Sequence, residues 1–477
     1  MQQGSLFDRG LQKNYVNRER FHSSTQCLPP PQPFPMIRGT VGRYLARPWF
    51  DALALRLVVN YLFPLTRALQ TAIVSEGDAH ALESELELKT SLPKSCDDAL
   101  TEICIRHYVA KSAFERWKVV MFGDGLSIAG RVFAELRRQE TSQRLLEAAL
   151  MFKEIRKQIE PIKWQLPTPK DFHEHYVGYS EDPGEVYSAP QKMPPVDMSH
   201  SIHGVYGREY WLRYGSSFGG ENWVRCFEPL TGLEPSAPTL IFLQGLAVEQ
   251  DCFQDREDPV CALTESGFRV LRIQQPGHGF RKKPGRFAGE EVFARGPIGL
   301  VDTFQQWISD VATLIHWVRS QRGGAVVLGG VSLGALACQL YSTVAWDWPE
   351  KLKPDGLLLI GTSGNVLDVL RKSCLTEGLG VPEKLHELGW KKEDYLRCLP
   401  LVQPSGHSVV PPDKIIFMLG QADNLMPYKG GLELADRWRV PPENRFLRNG
   451  KGHFSLLIDL IRDPIVLRRL VEITNID

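Results

Sequence analysis

Gly330-Val331-Ser332-Leu333-Gly334 is the segment of this sequence whose residue types point most directly to chemistry. A serine flanked by glycines can occupy a sharp strand-to-helix turn that leaves its hydroxyl exposed. Context strengthens the pattern, because AVVL precedes it and ALACQLYSTVAW follows it. Such a hydroxyl is a weak nucleophile at neutral pH and needs a base within hydrogen-bond reach. Of the 12 histidines, His453 is the best placed, in NGKGHFS between the short run FLR and the apolar run LLIDLI. A carboxylate must then hold the imidazole tautomer and stabilise the imidazolium. Asp423, in GQADNLMP directly after KIIFMLG, meets that need. Asp368, Glu433 and Asp436 compete for the role, and the last two fall in a helix-like stretch as solvated charges. The order Ser332, Asp423, His453 is the order of this motif class.

An acyl-transfer site also needs two backbone N–H groups aimed at a developing oxyanion. One is expected from Leu333, directly after the serine, and the other from Leu246, in the loop after TLIFLQG. With these pieces the sequence resembles the α/β-hydrolase superfamily over about residues 205–477. Gln244-Gly245-Leu246, Pro276-Gly277-His278-Gly279, the G-V-S-L-G run, G-Q-A-D and G-K-G-H follow one another in that family's order. The resemblance implies a serine hydrolase using Ser332, Asp423 and His453 with no cofactor or metal, and a structural rather than catalytic His278. Two departures stand out: Gln244 replaces the usual histidine, and Gln275 replaces an aspartate found in many relatives.

The elements that must position these residues are short buried strands alternating with helices. EYWLRY and WVRCFEPL flank GSSFGGEN as a hairpin. TLIFLQG, FRVLRIQQ, AVVLGGVS, GLLLIGTS and KIIFMLGQAD then read as buried strands, with helical patterns over 302–320 and 333–346. That alternation predicts an α/β fold with a mostly parallel sheet covered on both faces. Four regions are expected: a proline-rich arm over 1–35, a helical region over 36–160, a proline-rich linker over 161–200, and the catalytic domain over 201–477. Leu145, Ala149, Phe152, Ile155 and Ile159 carry helical spacing within the second region. A cap over the site is expected either from the helical region or from the segment 364–412. Trp346, Trp348 and Trp390 are candidates to line an apolar pocket or to fill the core.

Composition limits the partners. Lys plus Arg and Asp plus Glu both number 56, and this zero balance argues against nucleic acid, which selects a basic excess. The nine cysteines lack metal-site or disulfide spacing, as expected of free thiols in a reducing compartment. The first residues contain no apolar signal core, so a cytoplasmic location is expected, with an organellar transit sequence as the alternative. The apolar stretch 52–65 is interrupted by Arg56, Asn60 and Pro64 and looks too short to span a bilayer. Trp49, Phe50, Leu53, Leu57 and Tyr61 recur along it at helical spacing. They predict a core-facing helix, or alternatively an interfacial helix resting on a membrane or an oily substrate. The expected activity is hydrolysis of a carboxylic ester or thioester of a small, apolar acyl substrate. Acyl transfer by the same residues and a non-catalytic binding protein on the same fold are the rivals.

Overall fold

A computed structural model describes residues 48–124, 127–176, 183–204, 207–229, 232–234, 236–247, 259–321 and 323–474. The arm over 1–35 lies outside them.

The sheet forms around five strands built mostly of apolar residues. These are β5 (Thr239–Leu243), β6 (Arg269–Ile273), β7 (Val326–Val331), β8 (Gly356–Ile360) and β9 (Ile415–Gly420), and every residue in them is buried, with Arg269 and Arg272 of β6 as charged exceptions to the apolar rule. Such runs suit a sheet covered on both faces. Side chains alternate between two cores. Ile241 and Leu243 face one core, while Leu240 and Phe242 face the other. The short β1 (Asp197–Met198) and β2 (Ile202–Gly204), with β3 (Gly207–Gly215) and β4 (Glu221–Glu228), build an antiparallel edge, and β10 (Arg445–Arg448) closes the far side. The order is β1-β3-β4-β6-β5-β7-β8-β9-β10, with β2 also on β3; pairing is parallel from β6 to β10. The chain reverses its direction of travel across the sheet between β5 and β7. In open sheets of this kind a ligand crevice lies at the carboxyl ends of those two strands.

The N-terminal helices relevant to the site are α1 (Pro48–Leu57), α2 (Phe63–Val74), α3 (Ala79–Leu86), α4 (Lys94–Phe122) and α5 (Ile128–Glu147). Two of them, α4 and α5, are fastened to the β3–β4 hairpin. Trp117 of α4 packs against Trp211 and Trp223 of the hairpin, with Phe280 in the same cluster. Beneath it, Arg138 pairs with Glu135 at 2.8 Å, and both are buried. Burial alone would raise the Glu135 carboxyl, but Arg138 and Arg225 hold it down at about 2. After α5 the expected helical run tightens into 3-10 turns, Ala148–Phe152 and Arg156–Gln158, although Ala149, Phe152, Ile155 and Ile159 are all buried as their spacing requires.

The structure lengthens the helical run at residues 49–65 and turns its stripe toward the interfacial alternative. The helical run does not stop at Pro64. A π turn, Val58–Leu62, joins α1 to α2 and places Pro64 in the first turn of α2, where its missing N–H costs little. The resulting run, Trp49–Val74, is 26 residues long and passes by length and composition as long enough to cross a membrane. Its second half packs on protein: Leu65, Ala68, Leu69 and Ala72 are buried, and Arg67 donates to the Glu160 carbonyl at 2.6 Å. The stripe faces outward rather than into the core, with Trp49, Leu53 and Leu57 each about half exposed. The helix is apolar on more than one side, so its spacing does not select the buried side. The π turn then shifts the phase between its halves.

Candidate active site

Ser332 ends β7 and opens the next helix, α6 (Leu333–Val344). Its backbone sits at φ 58° and ψ −124°, a region that non-glycine residues rarely adopt. The flanking glycines make that turn possible. A Cβ on Gly334 would lie 2.4 Å from the Leu243 carbonyl oxygen, and one on Gly330 would lie 2.6 Å from the Gly334 backbone. The Ser332 N–H donates to the Ile360 carbonyl at 3.0 Å, which fixes the turn to the end of β8. Leu333 is the first residue of α6, where backbone N–H groups have no partner inside the helix.

Asp423 follows β9, and His453 begins the helix α10 (His453–Arg462) after β10; the helices between β8 and β9 include α7 (Val366–Lys372), α8 (Val381–Glu387) and α9 (Lys392–Val402). Both side chains are buried, and His453 Nδ1 donates to Asp423 Oδ2 at 2.8 Å. The second carboxylate oxygen accepts from the Leu425 and Met426 N–H groups at 2.9 and 2.8 Å, so the carboxylate cannot swing away. Gly361 connects this pair to the serine. A Cβ there would stand 3.3 Å from the His453 ring, and its neighbour Ile360 accepts the Ser332 N–H. Burial alone would lower the His453 pKa; Asp423, and more weakly Asp51, outweigh it and hold the imidazole above its ordinary value. The competing acids stay outside the site. Asp368 pairs with Lys372, Glu433 with Lys429, and Asp436 with Arg445.

Leu246 lies in the loop after β5, on the other switch strand. A Cβ on Gly245 would approach the Ser332 Cβ to 3.3 Å, so this loop runs directly past the serine. Two side-chain contacts brace it. Gln275 Nε2 donates to the Gly245 carbonyl at 2.8 Å. His278 Nδ1 donates to the Pro276 carbonyl at 2.9 Å, which leaves Nε2 to accept the Ala247 N–H at 3.1 Å. Gly289 leaves room for both Leu246 and His278: a Cβ there would lie 2.7 Å from Leu246 and 3.0 Å from the His278 ring.

Ser332 opens onto a cavity of about 150 Å³. Leu246, Leu333 and Leu336 line it from the sheet side, and Val366, Leu399 and Val402 from α7 and α9. The segment 366–402 is therefore the cover. The tryptophans do not line this cavity: Trp348 and Trp390 are buried in the core, and Trp346 is exposed. Trp390 donates to the Pro167 carbonyl at 2.8 Å. No group of three or more His, Cys, Asp or Glu side chains suited to a metal ion occurs among the described residues.

Sequence reasoning missed one polar residue here. Asp51 of α1 is buried against the start of α10. Its carboxylate accepts from the Phe454 N–H, the Ser455 N–H at 3.3 Å and the Ser455 hydroxyl at 3.1 Å. Gly452, which precedes His453, has no side chain to fill that role. A glycine at that position was the one available signal.

A strained serine between β7 and its helix, at the switch point of a mostly parallel sheet with helices on both faces, is the arrangement of the α/β-hydrolase fold. Within it, residues 235–370 match the family model described as serine aminopeptidase, S33. The chain is an α/β-hydrolase enzyme. Among solved structures it is similar to a cold-adapted esterase from an Arctic intertidal metagenomic library, at 17% identity over 58% of this chain and 97% of that one, with a TM-score of 0.38. Acetyl xylan esterase 1 from Thermoanaerobacterium sp. JW/SL YS485 is similar at 16% identity over 63% of this chain and 97% of that one, with a TM-score of 0.40. An acetyl xylan esterase from Paenibacillus sp. R4 is similar at 13% identity over 66% and 97%, with a TM-score of 0.45. No curated protein matches the sequence.

Proposed function

We propose that this enzyme cleaves a carboxylic ester or thioester of an apolar acyl group through an acyl-enzyme on Ser332. The observation that carries the reading is the strained serine at the mouth of an apolar cavity, one strand end from a buried Asp423–His453 pair. The steps follow from the roles. His453 takes the Ser332 proton as the hydroxyl attacks the carbonyl, and later gives it to the leaving group. Asp423 holds the ring with Nδ1 protonated, which leaves Nε2 as the base. The N–H groups of Leu333 and Leu246 receive the oxyanion. Water then attacks the acyl-enzyme, with His453 again as the base, and releases the acid.

Acyl transfer would keep every step except the last, where an alcohol would replace water. The free cysteines among the described residues support a reducing compartment such as the cytoplasm. The outward stripe of Trp49, Leu53 and Leu57 supports peripheral contact with a lipid surface, where apolar esters accumulate. A fluorophosphonate probe tests the nucleophile: the wild-type protein should be labelled and Ser332→Ala should not. Equal labelling of both proteins removes Ser332 from the mechanism.

A further inference from the structure

The contact between α1 and α10 joins residues about 400 positions apart. It is polar, buried and aimed at the residue that carries the base. α10 begins with His453, and a helix start leaves its first N–H groups without partners inside the helix. Most helices satisfy one of them with a capping side chain from the preceding residue. Here that residue is Gly452, and the acceptor comes from Asp51 instead. Ser455 completes the arrangement: its hydroxyl accepts the Gly452 N–H at 2.8 Å and donates to Asp51. The approach is close. A Cβ on Gly452 would lie 2.6 Å from the Asp51 carboxyl carbon.

We propose that Asp51 is a positioning residue of the active site, supplied by the N-terminal helix, which fixes the start of the His453 helix and adds a second negative charge beside the imidazole. This rests on the reading of His453 as the base. Two consequences are separable. As an acceptor, Asp51 locks the backbone of Phe454 and Ser455 and so fixes the direction of the neighbouring His453 ring. As a charge, it favours the imidazolium that forms when Ser332 attacks. The charged groups acting on His453 are Asp423 from the β9 loop and Asp51 from α1; the Cys374 thiol, at the start of the short helix Cys374–Gly378, feels both carboxylates. Burial, with Asp423 and Asp51 beside it, pushes that thiol up to about 11, so it stays neutral. Burial also raises the Asp51 carboxyl, while its three donors and His453 oppose that shift.

The test follows the rate of Ser332 labelling by a fluorophosphonate against pH, in wild type, Asp51→Asn and Gly452→Ala. Labelling needs neutral His453, so its acid limb reports the imidazole. Asp51→Asn keeps an acceptor but removes the charge. Its acid limb should move to lower pH by about 0.5 unit or more, as expected on losing a nearby opposite charge, while its melting temperature stays near wild type. Gly452→Ala keeps the charge but displaces it from the helix start, and its labelling should slow by about tenfold or more at the pH optimum, the scale of a misplaced catalytic group. It also covers the case in which Asp51→Asn fails to fold. An unchanged acid limb in Asp51→Asn, or wild-type labelling in Gly452→Ala, overturns the proposal. Loss of Ser332-dependent labelling in wild type would instead refute the function assigned above.

Discussion

Replacing Val402 by phenylalanine should shorten the acyl group that the enzyme prefers. Val402 is buried in α9 and lines the cavity at Ser332. The cavity measures about 150 Å³. If a methylene takes roughly the volume of a water molecule in the liquid, ~30 Å³, it holds about five. Each methylene moved from water into it contributes about 0.8 kcal/mol, or roughly fourfold in kcat/KM. The wild-type enzyme should therefore improve about fourfold per carbon from acetyl to about hexanoyl esters, then level off. Phenylalanine adds about four carbons to the valine side chain and leaves room for only one or two methylenes. The hexanoyl ester should then lose on the order of 50-fold in kcat/KM relative to wild type, while the acetyl ester changes little. The assay is a series of p-nitrophenyl esters from two to ten carbons, with Ser332→Ala as the blank. Overfilling a core costs about 1–3 kcal/mol, so the acetyl rate and the melting temperature serve as internal controls. A variant with the wild-type chain-length profile would refute this cavity as the acyl site. A flat wild-type profile would do the same.

Two further outcomes are expected. His278→Ala removes the acceptor of the Ala247 N–H and loosens the loop that carries Leu246. It should lower kcat by about 10- to 100-fold with little change in KM, somewhat less than deleting an oxyanion donor outright; an unchanged kcat would show that the loop holds without it. Glu135→Gln removes the buried carboxylate that pairs with Arg138 at 2.8 Å, while Arg225 keeps Glu209 at 2.6 Å, and should destabilise the protein by about 3–5 kcal/mol in urea unfolding. The sign with pH follows from its depressed pKa. Glu135 contributes stability at pH values above the unfolded carboxyl range, and the contribution is lost as pH falls toward about 2. An acid-unfolding curve that is the same in wild type and variant would contradict this.

The parts of the site that lie within one strand-turn-helix unit were legible in the sequence. Gly330 and Gly334 flag the turn at Ser332, the buried run before Asp423 places it on a strand-end loop, and FLR followed by LLIDLI places His453 at a strand-to-helix junction. The family match and the observed strand order agree with the α/β fold expected from those runs. What was not legible depends on long-range packing. Asp51 has no local pattern, since its partners are some 400 residues away. The stripe at Trp49, Leu53 and Leu57 left a core-facing and an interfacial helix both open, because an apolar period marks a face without saying what covers it. β1 and β2 escaped notice because two- and three-residue strands carry no period. The choice of cover between 364–412 and the N-terminal helices was open until α7 and α9 were seen over the cavity.

The junction of α1 with α10 also sets an order of events during synthesis. Asp51 leaves the ribosome early, and the residues it serves follow about 400 residues later. At roughly 5–20 residues per second, that interval is about 20–80 s. During it, Val59 and Phe63, which pack into the catalytic core, have no finished core to enter. The nascent chain therefore holds an apolar helix without its partner for tens of seconds, a natural substrate for a chaperone. If Asp51 positions the base as proposed, α1 and α10 must meet before the site is complete, so partly made chains should carry the serine turn without its activity.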